Sequence, residues 1–293
     1  MHIRTLSIMV ALGLVPVCLH AQEYTAYHGQ LHAHTGVSDG DKSPAEAYAY
    51  ARDNGKLDFF SVTDHQEQIL FGEWDEIKGA ADAAQVPGKY VTLYGYEWGS
   101  PIHNHINFLM TDKFYNVASC LSFNLSLIYD EIKKSPPALM QFNHPKYDPG
   151  ATENNWDDFK YDAEIDQACS LIEVKNPITA GNDEEGHEHA YVEALDKGWH
   201  ISPVSNQDNH GADWGTKNEL RAGVWAEDFT RDGIVKAFQA GRTFATTDKN
   251  VTVRFLCEGQ WMGESVETES QMQCSVLADD PDAADTFELI EVV

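Results

Sequence analysis

Nine side chains able to bind a metal stand along this sequence, each where an apolar run ends. They are His32, His34, Asp39, His65, Glu97, His105, His144, Asp208 and His210. Most follow a β-branched or aromatic stretch, as in GQLHAH, FFSVTDH, VTLYGYE, ALMQFNH and ISPVSNQDNH. Imidazole and carboxylate are ligands of zinc, iron and manganese, and no Cys is among them. One His at a strand end is usually structural. A series at successive strand ends points to a metal cluster, because buried ionisable groups seldom go unpaired. His32 and His34, two apart on a strand, share a face. Asp39 lies in a Ser-Asp-Gly turn, where the Gly lets the loop fold back over the site. Glu97 is the acid placed to bridge two cations. Asp64, beside His65, is either a ligand or a carboxylate that orients a His.

Side chains so far apart in sequence need a scaffold that gathers them. Strands are predicted at 24–31, 59–63, 90–96, 106–110, 138–142, 171–175 and 201–205. Helical patterns fall between many of them. Ser43-Pro44-Ala45-Glu46 is a capping box with Pro at the first helical position, and Asn54-Gly55 is a stop signal. Further helices are predicted at 73–84, 125–134, 187–197 and 230–240. Repeated βα units with near-continuous apolar strands argue for a parallel sheet in a closed or nearly closed α/β barrel. Chemistry in such barrels collects at the carboxyl ends of the strands, where the ligand candidates fall. From about residue 250 the pattern alternates instead, with a turn at 259–263 and strands expected at 251–255, 272–277 and 287–293. This reads as the start of a small antiparallel β-sandwich, expected to be incomplete. The organisation expected is a signal peptide over 1–21, a barrel over 22–249 and the partial β region over 250–293.

The first residues suggest export. Arg4 gives a positive start, residues 5–19 form an apolar run too short for a bilayer, and Ala21 with Gln22 offers a cleavage point. A secreted or periplasmic protein is expected, with lipidation at Cys18 disfavoured by the bulky Val17. No other run is long and apolar enough to span a membrane. The rest, about 270 residues, suits one large α/β domain with a small appendage. A net charge of −27 without a Lys/Arg stripe argues against nucleic acid and leaves a small molecule as the partner. Of five cysteines, Cys257 and Cys274 lie in strand-like segments of one small region. A disulfide between them is one reading and free or buried thiols the other, with Cys120 and Cys169 further away.

Other residues have weaker claims. His187-Glu188-His189 opens a helix, so its imidazoles do not face each other and it reads as surface. His28 reads as packing or supporting the site. Arg221 follows a loop and Arg242 lies at a strand end, and either could bind a substrate oxyanion. Lys146 and Lys175-Asn176 have a similar claim. Asn124 and Asn250 begin N-x-S/T sequences that matter only in a eukaryotic secretory pathway.

Taken in order, LHAHTGVSDG, VTDH, GYE, HINF, NHP and SNQDNH resemble the motifs of the polymerase and histidinol phosphatase (PHP) superfamily, over about residues 24–247. The resemblance implies a distorted (β/α)7 barrel with two or three divalent metal ions, zinc, manganese or iron. Their ligands would be His32, His34, Asp39, His65, a bridging Glu97, His105, His144, Asp208 and His210. His103 competes with His105, which is preferred because it directly precedes the apolar Ile106-Asn107-Phe108 run. Within the superfamily, Glu97-Trp98, the HNHIN run at 103–107, QDNHG at 207–211 and AGRTFATTD at 240–248 are similar to secreted hydrolases of the CehA/McbA type, carbaryl hydrolase among them.

The expected chemistry follows from that ligand set. Clustered divalent cations lower the pKa of a bridging water from about 15.7 towards about 7. The hydroxide so formed attacks phosphorus or a carbonyl carbon, with Arg221 or Arg242 helping to stabilise the oxyanion. His210 or His65 would protonate the leaving group. No G-x-S-x-G elbow occurs, so no Ser nucleophile is implied. The expectation is a secreted hydrolase of small-molecule phosphoesters, with carbamates, carboxyl esters or amides as the alternative. A non-catalytic metal buffer would show a dense His tract instead. A polymerase-associated module conflicts with the export signal and the acidic charge.

Overall fold

The computed structural model describes residues 24–115, 124–145, 154–177, 186–268 and 271–291. The expected signal peptide with Cys18, and Cys120 and Lys146, lie outside the described residues. Nine strands share one sheet: β1 (Thr25–Gln30), β2 (Phe59–Val62), β3 (Val91–Ser100), β4 (Asn104–Leu109), β5 (Leu139–Asn143), β6 (Cys169–Lys175), β7 (Ser202–Ser205), β8 (Arg221–Ala226) and β9 (Thr243–Thr246). Their order is β7-β6-β5-β4-β3-β2-β1-β8-β9. β9 returns to β7, where the Thr243 hydroxyl donates to the Pro203 carbonyl at 2.9 Å, so the sheet nearly closes into a barrel.

Helices α1 (Pro44–Asp53), α2 (Glu73–Ala84), α3 (Leu125–Lys134), α6 (Glu188–Asp196) and α7 (Arg231–Gln239) fill the predicted places. The capping box forms, with Ser43 accepting from the Glu46 N–H and Glu46 accepting from the Ser43 N–H. Between α3 and α6 lie two single turns, α4 (Trp156–Phe159) and α5 (Ala163–Asp166). All four residues of α4 have left-handed φ between 51° and 56°. Such backbone is costly for L-residues, and burial of Trp156 and Phe159 against Phe142 offsets it, the Trp156 and Phe142 rings stacking at 4.1 Å.

The sheet is mixed rather than parallel. β3 turns straight into β4 through residues 101–103, too few for the crossover that parallel strands need. β4 therefore runs antiparallel to β3 and β5, and β8 antiparallel to β1 and β9. Neither β8 nor β9 stands out in the sequence, because RAGVWA and TFAT are short and built partly of small residues.

Period-two alternation makes each strand read from floor to mouth. β3 presents Leu93 and then Glu97, β4 presents Leu109, Asn107 and His105, and β5 presents Leu139, Gln141 and Asn143. β6 gives Leu171 and then Glu173, and the β7 line gives Val204, Asn206 and Asp208. The apolar ends pack together with Phe59 and Val224, and α7 adds Ile234, Ala237 and Phe238. Above that layer the same faces turn polar.

Past β9, β10 (Thr252–Cys257), β11 (Gln260–Trp261) and β12 (Cys274–Asp279) form a separate antiparallel sheet, ordered β11-β10-β12. Cys257 and Cys274 face each other across it and are disulfide-bonded, which settles the two readings of those thiols; Cys169 is buried and free. The Trp225 indole donates to the Val253 carbonyl at 2.8 Å, and Trp261 packs edge-on to Tyr24 at 4.8 Å, docking this sheet on the barrel. The strand expected at 287–293 does not form over its described part, where Phe287, Leu289 and Ile290 are exposed without a pairing strand.

One close approach is indispensable. A Cβ at Gly29 would collide with the Phe59 carbonyl and ring on β2. Gly29→Ala is expected to lower the unfolding free energy by about 3 kcal/mol, read from urea denaturation. An unchanged midpoint would mean that β1 and β2 lie further apart.

Candidate metal centre

All nine side chains converge on the barrel mouth. His32 and His34 enter it just past β1, pinned by the His34 N–H donating to the Asn209 carbonyl at 2.9 Å. His65 follows β2 and bridges to Glu97 in β3. His105 arrives on β4 next to the hairpin, so it reaches the mouth from the amino end of an antiparallel strand. His144 follows β5, Asp208 and His210 follow β7, and Asp39 folds in from the loop before α1.

Distances are those of shared coordination. His32 Nε2 lies 3.2 Å from Glu97 Oε1, 3.3 Å from Asp208 Oδ1 and 3.3 Å from His34 Nε2. His34 Nε2 is 3.0 Å from Asp208 Oδ1 and 3.5 Å from Glu97 Oε2. Glu97 also meets His65 Nδ1 and His105 Nδ1, each at 3.0 Å, and His144 Nε2 at 3.3 Å. Asp39 Oδ1 is 3.3 Å from His210 Nε2. Four overlapping groups of ligand atoms result: His34, Asp39, His65 and His210; His32, His34 and Glu97; His32, His144 and Asp208; and His65, Glu97 and His105. The floor of His32, His34, Glu97 and Asp208 is closed to water, whereas the side chains of His105 and His210 are 30% exposed and that of Asp39 is 47% exposed. Among the described residues that rim is the exposed side of the cluster.

The cluster fits divalent cations. Glu97, Glu173 and Asp208 are buried carboxylates, and among the described residues no Lys or Arg ion-pairs with any of them. Three buried anions beside neutral imidazoles would be strongly destabilising without cations. Protons are one substitute. Burial opposes charge on His32, but Asp208, Glu97 and Glu173 outweigh it and hold its pKa well above the usual imidazole range. His65 is pushed up to about 9 against its own burial, by Glu97 and Asp39. Burial would raise Glu97, but His32 and His105 pull it well below the usual carboxylate range. The field that holds these protons is the one a metal would replace them in. Asp208 Oδ1 and His65 Nδ1 support this, being buried and close to nitrogen or oxygen atoms without hydrogen-bond alignment. Lone pairs aimed at a common point leave that signature.

Glu173, overlooked in the sequence, organises the floor. Its carboxylate accepts from His32 Nδ1 at 2.9 Å, the His144 N–H at 2.8 Å, Asn176 at 2.8 Å, Asn206 at 3.0 Å and Gln141 at 3.3 Å. Because a carboxylate only accepts, a metal-bound His32 would keep its proton on Nδ1 and turn the Nε2 lone pair inward. The available signal was an acid inside the apolar run SLIEVK. Asn143 adds a 2.8 Å donation to Glu97 Oε1.

Several open alternatives are decided, and the expectations for the two arginines and His187 are corrected. Asp64 is no ligand: it accepts from the Thr35 N–H and hydroxyl, each at 2.7 Å, and from Ser38 at 2.6 Å, tying down the loop that carries Asp39. Arg221 is not an oxyanion clamp, since its guanidinium is spent on the carbonyls of Gly215, Asn218 and Leu220. Arg242 lies at the opposite end of the barrel from the mouth, donating to the Trp225 carbonyl and covering the Tyr24 ring at 4.5 Å. His103 turns Nδ1 to Asn154 and Asp157, each at 3.1 Å, so His105 and not His103 meets Glu97. His28 binds the Val251 carbonyl at 2.8 Å, away from the cluster. Glu188 and His189 are exposed as expected, but His187 is buried, 4% exposed, with Nε2 unpartnered.

Residues 180–279 match the family model of a protein of unknown function, DUF3604. No curated protein matches the chain in sequence. Among solved structures the chain is similar to a two-domain protein from Bacteroides vulgatus containing a predicted PHP-like metal-dependent phosphoesterase. The identity is 22% and the TM-score 0.56, over 77% of this chain and 66% of that one. The chain thus spans 66% of that protein's length, and the likeness shows a shared fold. Weaker likenesses join it to a candidate metal-dependent phosphoesterase from Bifidobacterium adolescentis (16% identity, TM-score 0.40, 63% of this chain and 88% of that one). The same holds for an amidohydrolase from Chromobacterium violaceum (16%, 0.36, 64% and 89%).

Two outcomes follow from this geometry. Glu173→Gln releases the His32 tautomer and is expected to weaken metal binding by about 10–100-fold, measured by competition with a chelator; wild-type affinity would deny Glu173 its part. His187 gives a pH effect. Burial pushes its pKa down to about 4 from 6.5. Between those values the unfolded chain binds the extra proton, so stability is lost as pH falls through that window and regained as it rises. His187→Gln should make the acid limb shallower, by up to about 3 kcal/mol at the low end. Superimposable stability curves for variant and parent would contradict a neutral buried ring.

Proposed function

We propose that this protein is an exported, metal-dependent hydrolase of the PHP type that cleaves small-molecule phosphoesters. The observation that carries the reading is the convergence of six imidazoles on Glu97, Asp208 and Asp39 at a solvent-facing mouth. Two or three divalent ions would be held by the nine side chains named above. When bound, such ions supply Lewis acidity and a water of lowered pKa.

The chain's own residues do the rest. Glu97 belongs to two of the ligand groups and so fixes their spacing. Glu173 holds His32 and the His144 backbone, keeping the floor rigid and dry. The reactant sits against His65, His105, His210 and Asp39, since among the described residues that side of the cluster is exposed. Where not committed to a metal, His65 or His210 would pass a proton to the leaving group. His210 holds its Nδ1 on the Asp208 carbonyl at 3.0 Å, which keeps Nε2 facing the mouth. The resemblance at residues 5–22 to an export signal supports a location outside the cytoplasm. The similarity of residues 240–248 to CehA/McbA-type hydrolases keeps carbamate and carboxyl-ester cleavage as the alternative chemistry.

The decisive assay offers metal-loaded protein nitrophenyl phosphate, bis-nitrophenyl phosphate, nitrophenyl acetate and a naphthyl carbamate. Phosphoester cleavage is expected, falling about 100-fold or more in Glu97→Gln. Cleavage of the carbamate or acetate alone would shift the assignment to the alternative. Turnover of none, with metal content confirmed, would overturn it.

A further inference from the structure

Two loops that lead to or from ligands of the cluster display large apolar side chains to water. Leu70 and Phe71, shortly after His65, are 69% and 108% exposed, and Ile102, just before His103 and His105, is 50% exposed. These residues do not sit on slack chain. The Leu70 N–H donates to Glu73 Oε2 at 2.6 Å and the Glu73 N–H returns to the Leu70 carbonyl at 3.1 Å. Gln68 and Ile69 bond back to His65 and Gln66 at 3.0 and 3.3 Å, Gln66 is anchored on the Tyr115 carbonyl, and Ile69 is buried. At the hairpin tip Ser100 Oγ accepts from the Ile102 and His103 N–H groups, each at 3.2 Å, and the Asn154 N–H donates to the Ile102 carbonyl at 3.0 Å. The two loops flank the same part of the cluster, because the His65 and His105 rings meet edge to face at 5.7 Å.

Loops already fixed in place bind without an ordering cost, and an apolar group laid on them leaves water. We propose that Leu70, Phe71 and Ile102 hold an alkyl or aryl group of the substrate while its ester centre rests on the rim ligands. The substrate class is then an ester with a bulky apolar substituent, an inference that rests on the hydrolase reading above. A protein partner is disfavoured by area. The three side chains expose roughly 400 Å², about half of the ~800 Å² per partner that a stable interface buries. Their nearness in the chain to His65 and His105, whose rings meet, favours the reactant itself.

Two ladders test this on the metal-loaded protein. Methyl-, butyl- and octylphosphonate, which cannot be hydrolysed, are titrated by calorimetry; nitrophenyl acetate, butyrate and octanoate are followed by kcat/KM. Affinity or kcat/KM should rise about ten-fold from the shortest to the longest member. The rise should vanish in Leu70→Ser/Phe71→Ser and shrink in Ile102→Ser, with the shortest members within about two-fold of the parent and the melting temperature unchanged, as for exposed sites. A flat ladder in the parent, or an equal rise in the variants, overturns the proposal while leaving the hydrolase reading intact. Flat ladders together with self-association or vesicle binding that the variants abolish would likewise overturn it and give the patch to a macromolecular contact. If no member of either ladder binds or reacts while nitrophenyl phosphate is turned over, this inference alone is overturned; if that too is inert, with metal confirmed, the hydrolase reading falls and this inference with it.

Discussion

Burying three carboxylates at one end of a barrel is the constraint on which this structure depends. Glu97, Glu173 and Asp208 are out of reach of water and of any described Lys or Arg. Their charge can be balanced only by protons on the surrounding imidazoles or by cations between them. The two solutions compete, so the raised pKa values of His32, His65 and His144 and the capacity for metal express the same field. Without that balance the mouth could not stay closed on its floor.

The barrel accommodates this charge by stratifying its interior. A leucine, phenylalanine or valine layer fills the lower end, closed by α7. Amides come next: Gln141 and Asn206 donate to Glu173 above without adding charge, and Asn107 beside them donates to the Leu31 carbonyl. Ligand atoms form the top layer. The gradient runs along single strands, since residues two apart share a face, so the register of the sheet sets the depth of each ligand. A one-residue slip of β4 would turn His105 out of the mouth and Ile106 into it.

This stratification explains what could be read in advance. A His at the end of an apolar run is conspicuous, so the nine candidates, the five longer helices and the capping box were legible. Asp39 was recognisable through its Ser-Asp-Gly turn. Glu173 was hidden because four of its five donors come from segments 29 to 141 residues away in sequence, and Asn176 alone is local. The arginines were misjudged because position near a strand end does not tell where a long guanidinium points. Arg221 spends its donors on local carbonyls, and Arg242 sits at the far end because β9 runs antiparallel to β8. For His187, the helix position allowed either orientation, and only packing turned the ring inward. The hairpin of β3 and β4 escaped notice because three turn residues carry no helical signal, yet it delivers His105 from an unexpected strand end.

The most direct test is a crystal of the protein grown with manganese or zinc and measured at the absorption edge of the metal. The account predicts at least two anomalous peaks within the space bounded by His32, His34, His65, Glu97, His105, His144, Asp208 and His210, with Glu97 touching two of them. Peaks elsewhere on the surface, or none at this mouth while the imidazoles remain paired with the carboxylates as they stand here, would contradict it.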